Sequence, residues 1–324
     1  MTAMSEPPAR ARSRTLLSFL LSAALLAFVL SKLDYGAFAR NLAATHYGAY
    51  LAFVLAFNAA LVSADALAIR YLYARTICPV TYRDVFLIRA ASYFPALLNY
   101  HVGQGWMTYF LSRVYGAPLW RVAGATLVIY VTVFGGLYGI TLLSLPLNHD
   151  RWGWLGPTLA VLGAGGAVYF LVVMARPELL RRRQATSVLT ELGVRGHFAA
   201  LLWRLPHLFV LFVGSWVPFL FYDVNIPLSH ALALIPPLML VVALPISPQG
   251  FGTRDLFAQQ VFVAYAHGTL AEQRAAVAAA TLTFGCALTL VQAALSPLFM
   301  AKARVLLRER AAIRPPEETA LVRD

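Results

Sequence analysis

The chain has 324 residues, 60% of them hydrophobic and 12% charged, about half the charged share of an ordinary soluble domain. That excludes a soluble enzyme, a secreted disulfide scaffold and a disordered regulator, and it leaves a protein whose solvent is lipid. Lys and Arg outnumber Asp and Glu by 26 to 14, a net charge of +12; in so apolar a chain this excess reads as loops beside an anionic membrane face, not as a nucleic-acid footprint.

Crossing about 30 Å of hydrocarbon takes roughly 20 apolar residues in a helix. The first such run, residues 15–31, follows Arg10, Arg12 and Arg14. Its flank also has the form of a signal peptide, with Ala37-Phe38-Ala39 as a cleavage-like site, but its length suits a span. Residues 47–69 predict the second span, and further spans lie within 119–145, 152–175, 203–222 and 269–300. Two hydrophobic stretches do not read as straight helices. Residues 84–116 are interrupted by Pro95, Asn99, His101, Gly103 and Gly105, and residues 228–268 by Pro236, Pro237, Pro245, Pro248, Gly250 and Gly252. Proline removes a backbone donor, clashes with the preceding turn and biases its predecessor away from the helical region.

Basic residues concentrate on the cytoplasmic side of membrane proteins. If each broken stretch crosses once, the arginine-rich segment 176–204 lands outside. If each enters and returns to the same face, the N-terminus, the 70–83 loop, Arg113, Arg121, the 176–204 segment and the tail all lie inside, and only Lys32, Arg40, Arg151 and Arg274 lie outside. The expected architecture is therefore all-α and polytopic, with six full crossings and two re-entrant helical hairpins. Both termini are expected to be cytoplasmic, in a cell (inner) membrane. The order of span, span, hairpin, span occurs twice, over residues 15–145 and 152–300. Three crossings per half make the repeats inverted, an arrangement found in many transporters. The membrane domain is expected over 15–300, between a cytoplasmic segment 1–14 and a basic tail 301–324.

The two hairpin tips resemble each other: Pro95 precedes Gly103-Gln104-Gly105, Pro245 precedes Gly250-Phe251-Gly252, and a phenylalanine follows five residues later, Phe110 and Phe257. Broken backbone inside a bilayer is tolerated only against protein or a wet cavity, so the tips are expected to meet near mid-membrane. Helices starting after the Gly-x-Gly turns would aim unpaired N–H groups and partial positive charge at that place, which suits an anion such as a phosphate headgroup. Arg254 is the sharpest candidate, either a phosphate clamp or a structural cation held by a carbonyl or by Asp223. Asp255 is adjacent, unsuited to pairing with Arg254, and reads as complementing the helix dipole. Arg89 reads equally as a headgroup contact or a snorkelling interfacial cation. Asp65 reads first as a structural partner of Arg70 and second as a proton-coupling carboxylate. Asn99, His101 and Gln104 are polar groups of the first tip that read as satisfying broken backbone, with pH sensing as the alternative for His101. Trp106 and Tyr109 read as stacking on a ligand or as ordinary packing and interface residues, and Gln249, Gln259 and Gln260 as interhelical polar contacts. The candidate substrate site is thus Arg254, Asp255, Gly250, Gly252, Asn99, His101, Gly103, Gln104, Gly105 and Arg89. No catalytic triad, metal-ligand spacing or P-loop is present, Cys78 and Cys286 read as ordinary thiols, and neither catalytic residue, metal nor cofactor is expected.

The run Leu244-Pro245-Ile246-Ser247-Pro248-Gln249-Gly250-Phe251-Gly252-Thr253-Arg254-Asp255 resembles the signature LP-x-S-x-x-G-x-G-x-R-E of the flippase-like transmembrane domain, the membrane half of lysylphosphatidylglycerol synthases, with Asp255 in place of the glutamate. Residues 99–116 resemble the family's first signature through Gly105, Leu111, Arg113 and Gly116, while Trp106 and Tyr109 replace its usual Glu and Arg. A Glu-Arg pair usual in the next span is missing near Ile129 and Tyr130. The resemblance spans residues 16–300 and implies translocation of an anionic lipid or a polyprenyl-phosphate-linked headgroup, with membrane lipids as partners and no nucleic acid. The segment after Met300 is too short for a transferase domain, so an enzyme is not expected. A membrane-embedded headgroup transferase, or an accessory subunit of one, and an ion-coupled small-molecule transporter are the alternatives.

Overall fold

In a computed structural model of the protein, residues 9–148, 153–243 and 250–313 are described, and they form helices and short connections with no strand among them. The helices are α1 (Ala9–Ser31), α2 (Tyr35–Ala44), α3 (Tyr47–Thr76), α4 (Tyr82–Ala96), α5 (Tyr100–Tyr115), α6 (Leu119–Ser144), α7 (Leu155–Ala175), α8 (Glu178–Arg181), α9 (Gln184–Leu220), α10 (Leu228–Ala243), α11 (Thr253–Val261) and α12 (Leu270–Ile313). Among the described residues five helices are long and apolar enough to cross a membrane, and a sixth span is counted if α1 and α2, bent by 94° at residues 32–34, act as one. The chain is an all-α, multi-pass membrane protein.

The burial pattern identifies its solvent. α7 buries only Leu155, Leu159 and Val173, while Val161, Val168, Leu171 and Met174 are more than half exposed. In water such a face would be an aggregation site; in lipid it costs nothing. Aromatic rings fill the centre between α3, α9 and α12: Phe53 stacks on Phe57 with centroids 6.2 Å apart, Phe57 meets Phe284 at 5.5 Å, and Tyr50 stands edge-on to Phe221 at 5.1 Å.

The stretches expected to be broken are helix–loop–helix pairs. α4 packs against α5, and α10 against α11. Pro95 is the penultimate residue of α4, and Asn99, with extended backbone, starts α5 by accepting the N–H of His101 at 2.8 Å. Because Asn99 caps the helix so early, Gly103 and Gly105 lie inside α5, where a helix start after them had been expected. In the second pair the expectation that Pro236 and Pro237 interrupt the chain is overturned, for α10 runs through both to Ala243; a buried helix accommodates proline when neighbours cover the freed carbonyls. α11 begins directly after Gly252, as the Gly-x-Gly reading required. Pro245, Pro248 and Gln249 lie outside the described residues.

Packing between the halves is reciprocal. α3 crosses α9, the first helix of each pair lies along the last long helix of the other half (α4 on α12, α10 on α6), and the second helix lies along the long helix that follows it in its own half (α5 on α6, α11 on α12). α12 continues past residue 300, and Arg310 reaches Asp84 on α4 at 2.8 Å, where the Tyr115 hydroxyl also donates at 2.8 Å.

Segment 176–204 is mostly helical, not a loop. α9 starts at Gln184 and passes a break at Gly193, whose φ of 61° and ψ of 176° suit a residue without Cβ. Arg204, expected on the cytoplasmic surface, is 1% exposed inside the bundle. The amino-terminal part of α9 is held against α6 at Gly124, where an added Cβ would stand 2.2 Å from the Ala185 carbonyl oxygen. Backbone cannot rotate out of the way, so Gly124→Ala is expected to lower stability by about 1–3 kcal/mol, read as an earlier thermal unfolding midpoint in detergent.

Candidate functional site

A cavity of about 200 Å³ lies in the middle of the bundle, lined by residues of α3, α4, α5, α6, α9, α10, α11 and α12. Its walls are predominantly apolar, with Phe57, Leu137, Phe219 and Phe284 among them. The polar side chains that reach it include Arg89, Tyr100, His207, Arg254 and Gln292. Both helix pairs contribute: Arg89, Tyr93 and Tyr100 come from the first, and Val242 and Arg254 from the second. An apolar chamber with a few convergent polar groups is the usual form of a ligand site.

One wall is a buried charge cluster. Asp65 of α3 accepts from Arg89 Nε at 2.5 Å through one carboxylate oxygen and from Arg204 Nη1 through the other. The side chains of Asp65, Arg89 and Arg204 are each no more than 3% exposed. Arg89 also donates from Nη1 to the Ser92 hydroxyl at 2.9 Å, and its guanidinium lies 4.5 Å from the Tyr93 ring centroid. His207, one turn after Arg204, places Nδ1 3.5 Å from Arg204 Nη1 and Nε2 3.8 Å from Asp65. Two guanidiniums therefore share one carboxylate, which leaves one formal positive charge in excess deep in the bundle. An acid at that depth demands a partner, and the expected one, Arg70, is wrong. Arg70 is exposed; five positions along a helix turn it away from Asp65, and bases from α4 and α9 take its place.

The second pair supplies Arg254 in the first turn of α11. Its Nη2 donates to the Thr281 carbonyl at 2.8 Å and its Cζ lies 5.5 Å from the Phe251 ring centroid, while Nε has no hydrogen-bond partner although it is buried. The expectation that Asp255 would not pair with Arg254 is overturned: Asp255 Oδ1 stands 3.6 Å from Arg254 Nη2, because the flexible arginine folds back along its own turn. Asp255 Oδ2 meanwhile accepts the Gly252 N–H at 2.9 Å, closing the first turn of α11. Asp223, the other suggested partner, is exposed on a connection with φ of 56°. Gly285 of α12 makes room for the arginine, since a Cβ there would meet Nη2 at 2.4 Å.

The other predicted positions do not line the cavity. Gly252, with φ of 83°, is approached by backbone rather than by an open space: a Cβ would lie 2.9 Å from the Ser22 carbonyl oxygen and 3.1 Å from the Leu26 nitrogen of α1. Ser22 fixes that contact by donating to the Phe251 carbonyl at 2.8 Å. Gly250 is buried against Val242. Gly103 lets α5 close on α4, where a Cβ would fall 2.5 Å from that of Ala96, and Gly105 lies on the exposed side. Asn99 is spent on its cap. His101 pairs through Nδ1 with the Tyr130 hydroxyl at 2.9 Å, and Gln104 donates to the Tyr100 hydroxyl at 2.7 Å, so this group supports the cavity from behind Tyr100. Trp106 stacks on Phe110 at 4.5 Å, and Gln259 donates to the Arg274 carbonyl at 2.9 Å. Sequence reading missed Arg204 and His207. The available signal was their spacing with Leu211 and Ser215, which repeats at helical intervals along one face; assigning residue 204 to a loop concealed it.

With this geometry established, comparison with known proteins adds one match. The sequence profile of the lysylphosphatidylglycerol synthase TM region aligns with residues 15–296. The chain belongs to that family. No curated protein and no solved structure matched it significantly. Of the residues that carry the resemblance to the second signature, Gly250, Gly252, Arg254 and Asp255 lie in the first turn of α11 and just before it, residues 244–249 lie outside the described residues, and the residues resembling the first signature fall on α5 and its caps. Arg113, one of the matching residues there, lies in the last turn of α5 and is absent from the cavity lining.

Removing one member of a buried ion cluster costs about 3–5 kcal/mol because the others keep their charge without compensation. Asp65→Asn is expected to lose that much stability, and Asp65→Asn combined with Arg204→Gln to recover part of it, both read from thermal unfolding midpoints in detergent.

Proposed function

We propose that this protein is a flippase-like translocase, which moves an anionic lipid or a polyprenyl-phosphate-linked headgroup across the cytoplasmic membrane. The observation that carries the reading is the cavity itself, apolar over most of its wall yet bordered by Arg89 and Arg254 from two different helix pairs. A lipid combines the same two demands, an anionic head that needs arginine donors and a chain that needs apolar wall. Membership of the lysylphosphatidylglycerol synthase TM-region family supports a role in lipid modification or translocation.

In this reading the α4–α5 and α10–α11 pairs are re-entrant hairpins of an inverted repeat. The reciprocal packing of α4 on α12 and α10 on α6 supports that arrangement. Both termini face the cytoplasm, which keeps the arginines of segment 176–195 and the end of α12 on the basic side. The headgroup is passed between the hairpins while its chains remain in lipid or in the apolar part of the cavity. Polar groups that stay in place through the passage lower the cost of bringing a charge to mid-membrane.

Arg254→Ala is expected to slow transfer of a fluorescently labelled phosphatidylglycerol between the leaflets of reconstituted liposomes by at least about tenfold, as loss of a charge-assisted contact implies. Transfer is read by quenching of outer-leaflet label, and folding by an unchanged elution profile. A rate equal to that of the unaltered chain removes Arg254 from the site.

A further inference from the structure

We propose that Arg89 is one half of an exchangeable ion pair: a phosphate group entering the cavity takes Arg89 from Asp65, while Arg204 retains the carboxylate. This deepens the translocase reading, and rests on it only in taking the phosphate to be carried by a lipid.

The argument starts from unequal surroundings. Arg89 and Arg204 bond opposite oxygens of Asp65, but only Arg89 lines the cavity. If Arg89 let go, Asp65 would keep a complete partner in Arg204, so no carboxylate would be stranded. The reverse exchange has no route, because Arg204 is not among the residues that line the cavity. The surplus positive charge of the cluster is thus available on one side only. Other donors converge there. Tyr100 accepts from Gln104, which leaves its O–H to donate, and His207 also reaches the lining. The Arg89 guanidinium already lies 4.5 Å from the Tyr93 ring centroid, so a small swing between two anions keeps that cation–π contact. An exchange of partners replaces one charge-assisted hydrogen bond by another, which lets an anion enter a low-dielectric site without paying for an uncompensated charge.

The role given to Arg204 makes the inference testable, since Arg204 does not touch the cavity. Arg204→Gln leaves Asp65 and Arg89 as a balanced pair, which removes the surplus charge without altering the lining. The full chain, purified in detergent, is incubated with dioleoyl phosphatidic acid, with dioleoylglycerol, or with inorganic phosphate, and bound adducts are counted by native mass spectrometry. The unaltered chain is expected to retain phosphatidic acid over dioleoylglycerol. Arg89→Gln and Arg204→Gln are each expected to reduce that retention roughly tenfold, the scale of one charge-assisted hydrogen bond. The double variant Asp65→Asn with Arg204→Gln has the same excess charge as the unaltered cluster and frees Arg89 permanently, so retention is expected to return. Normal retention in Arg204→Gln, or none in the folded double variant, overturns the exchange. Inorganic phosphate that binds and displaces phosphatidic acid at equal concentration overturns the lipid as its source. A chain that shows the expected adduct pattern but moves no labelled lipid in liposomes keeps the subsite and loses the translocase reading; the opposite outcome keeps translocation and removes the subsite.

Discussion

One carboxylate organises the centre of this membrane protein. Asp65 on α3 is held by Arg89 of α4 and Arg204 of α9, so three helices from both halves of the chain meet at a single anion. Charges this deep persist only when paired and hydrogen-bonded, and here the pairing also sets the position of α4 and α9 against α3. The rest of the central architecture follows: the first helix pair is anchored by its first helix, and the cavity opens beside the anchor.

The two helix pairs serve that cavity differently. The first supplies a base tied to a distant acid, with Tyr100 supported from behind by Gln104. The second supplies Arg254, tied locally to a carbonyl of α12 and to its own neighbour Asp255. Glycine has three distinct tasks around them. Gly252 admits the backbone of α1, Gly103 admits α4, and Gly285 leaves space for a guanidinium. Only the last of these concerns a group that reaches the cavity. A Gly-x-Gly pattern is therefore compatible with close helix packing as well as with a ligand, and the contacts decide between them.

Much was legible from residue order. Long apolar runs bounded by arginines marked the spans, because the thickness of hydrocarbon sets the length of a crossing. Pro95 and Asn99 marked the first break, and Gly252 the start of α11, since each acts on backbone close to it in the chain. Arg254 could be singled out because a charge after a Gly-x-Gly turn in an apolar stretch is rare. The three failures of pairing and placement share one cause. Arg70 was preferred for Asp65 because it is near in sequence, Arg204 was placed in a cytoplasmic loop because other arginines precede it, and Asp255 was kept from Arg254 because ideal helical geometry separates neighbours. Each error judged partners by distance along the chain.

Sequence alone determined that this chain dissolves in lipid, that it is helical, where its apolar spans fall and which family it resembles; these depend on composition, local backbone chemistry and short motifs. Tertiary structure alone decided which bases hold Asp65, that Arg204 and His207 are interior groups, and that Arg89 and Arg254 border one chamber. The contacts that hold Asp65 join residues 24 and 139 positions apart, and no periodicity within one helix records which face of another will meet it.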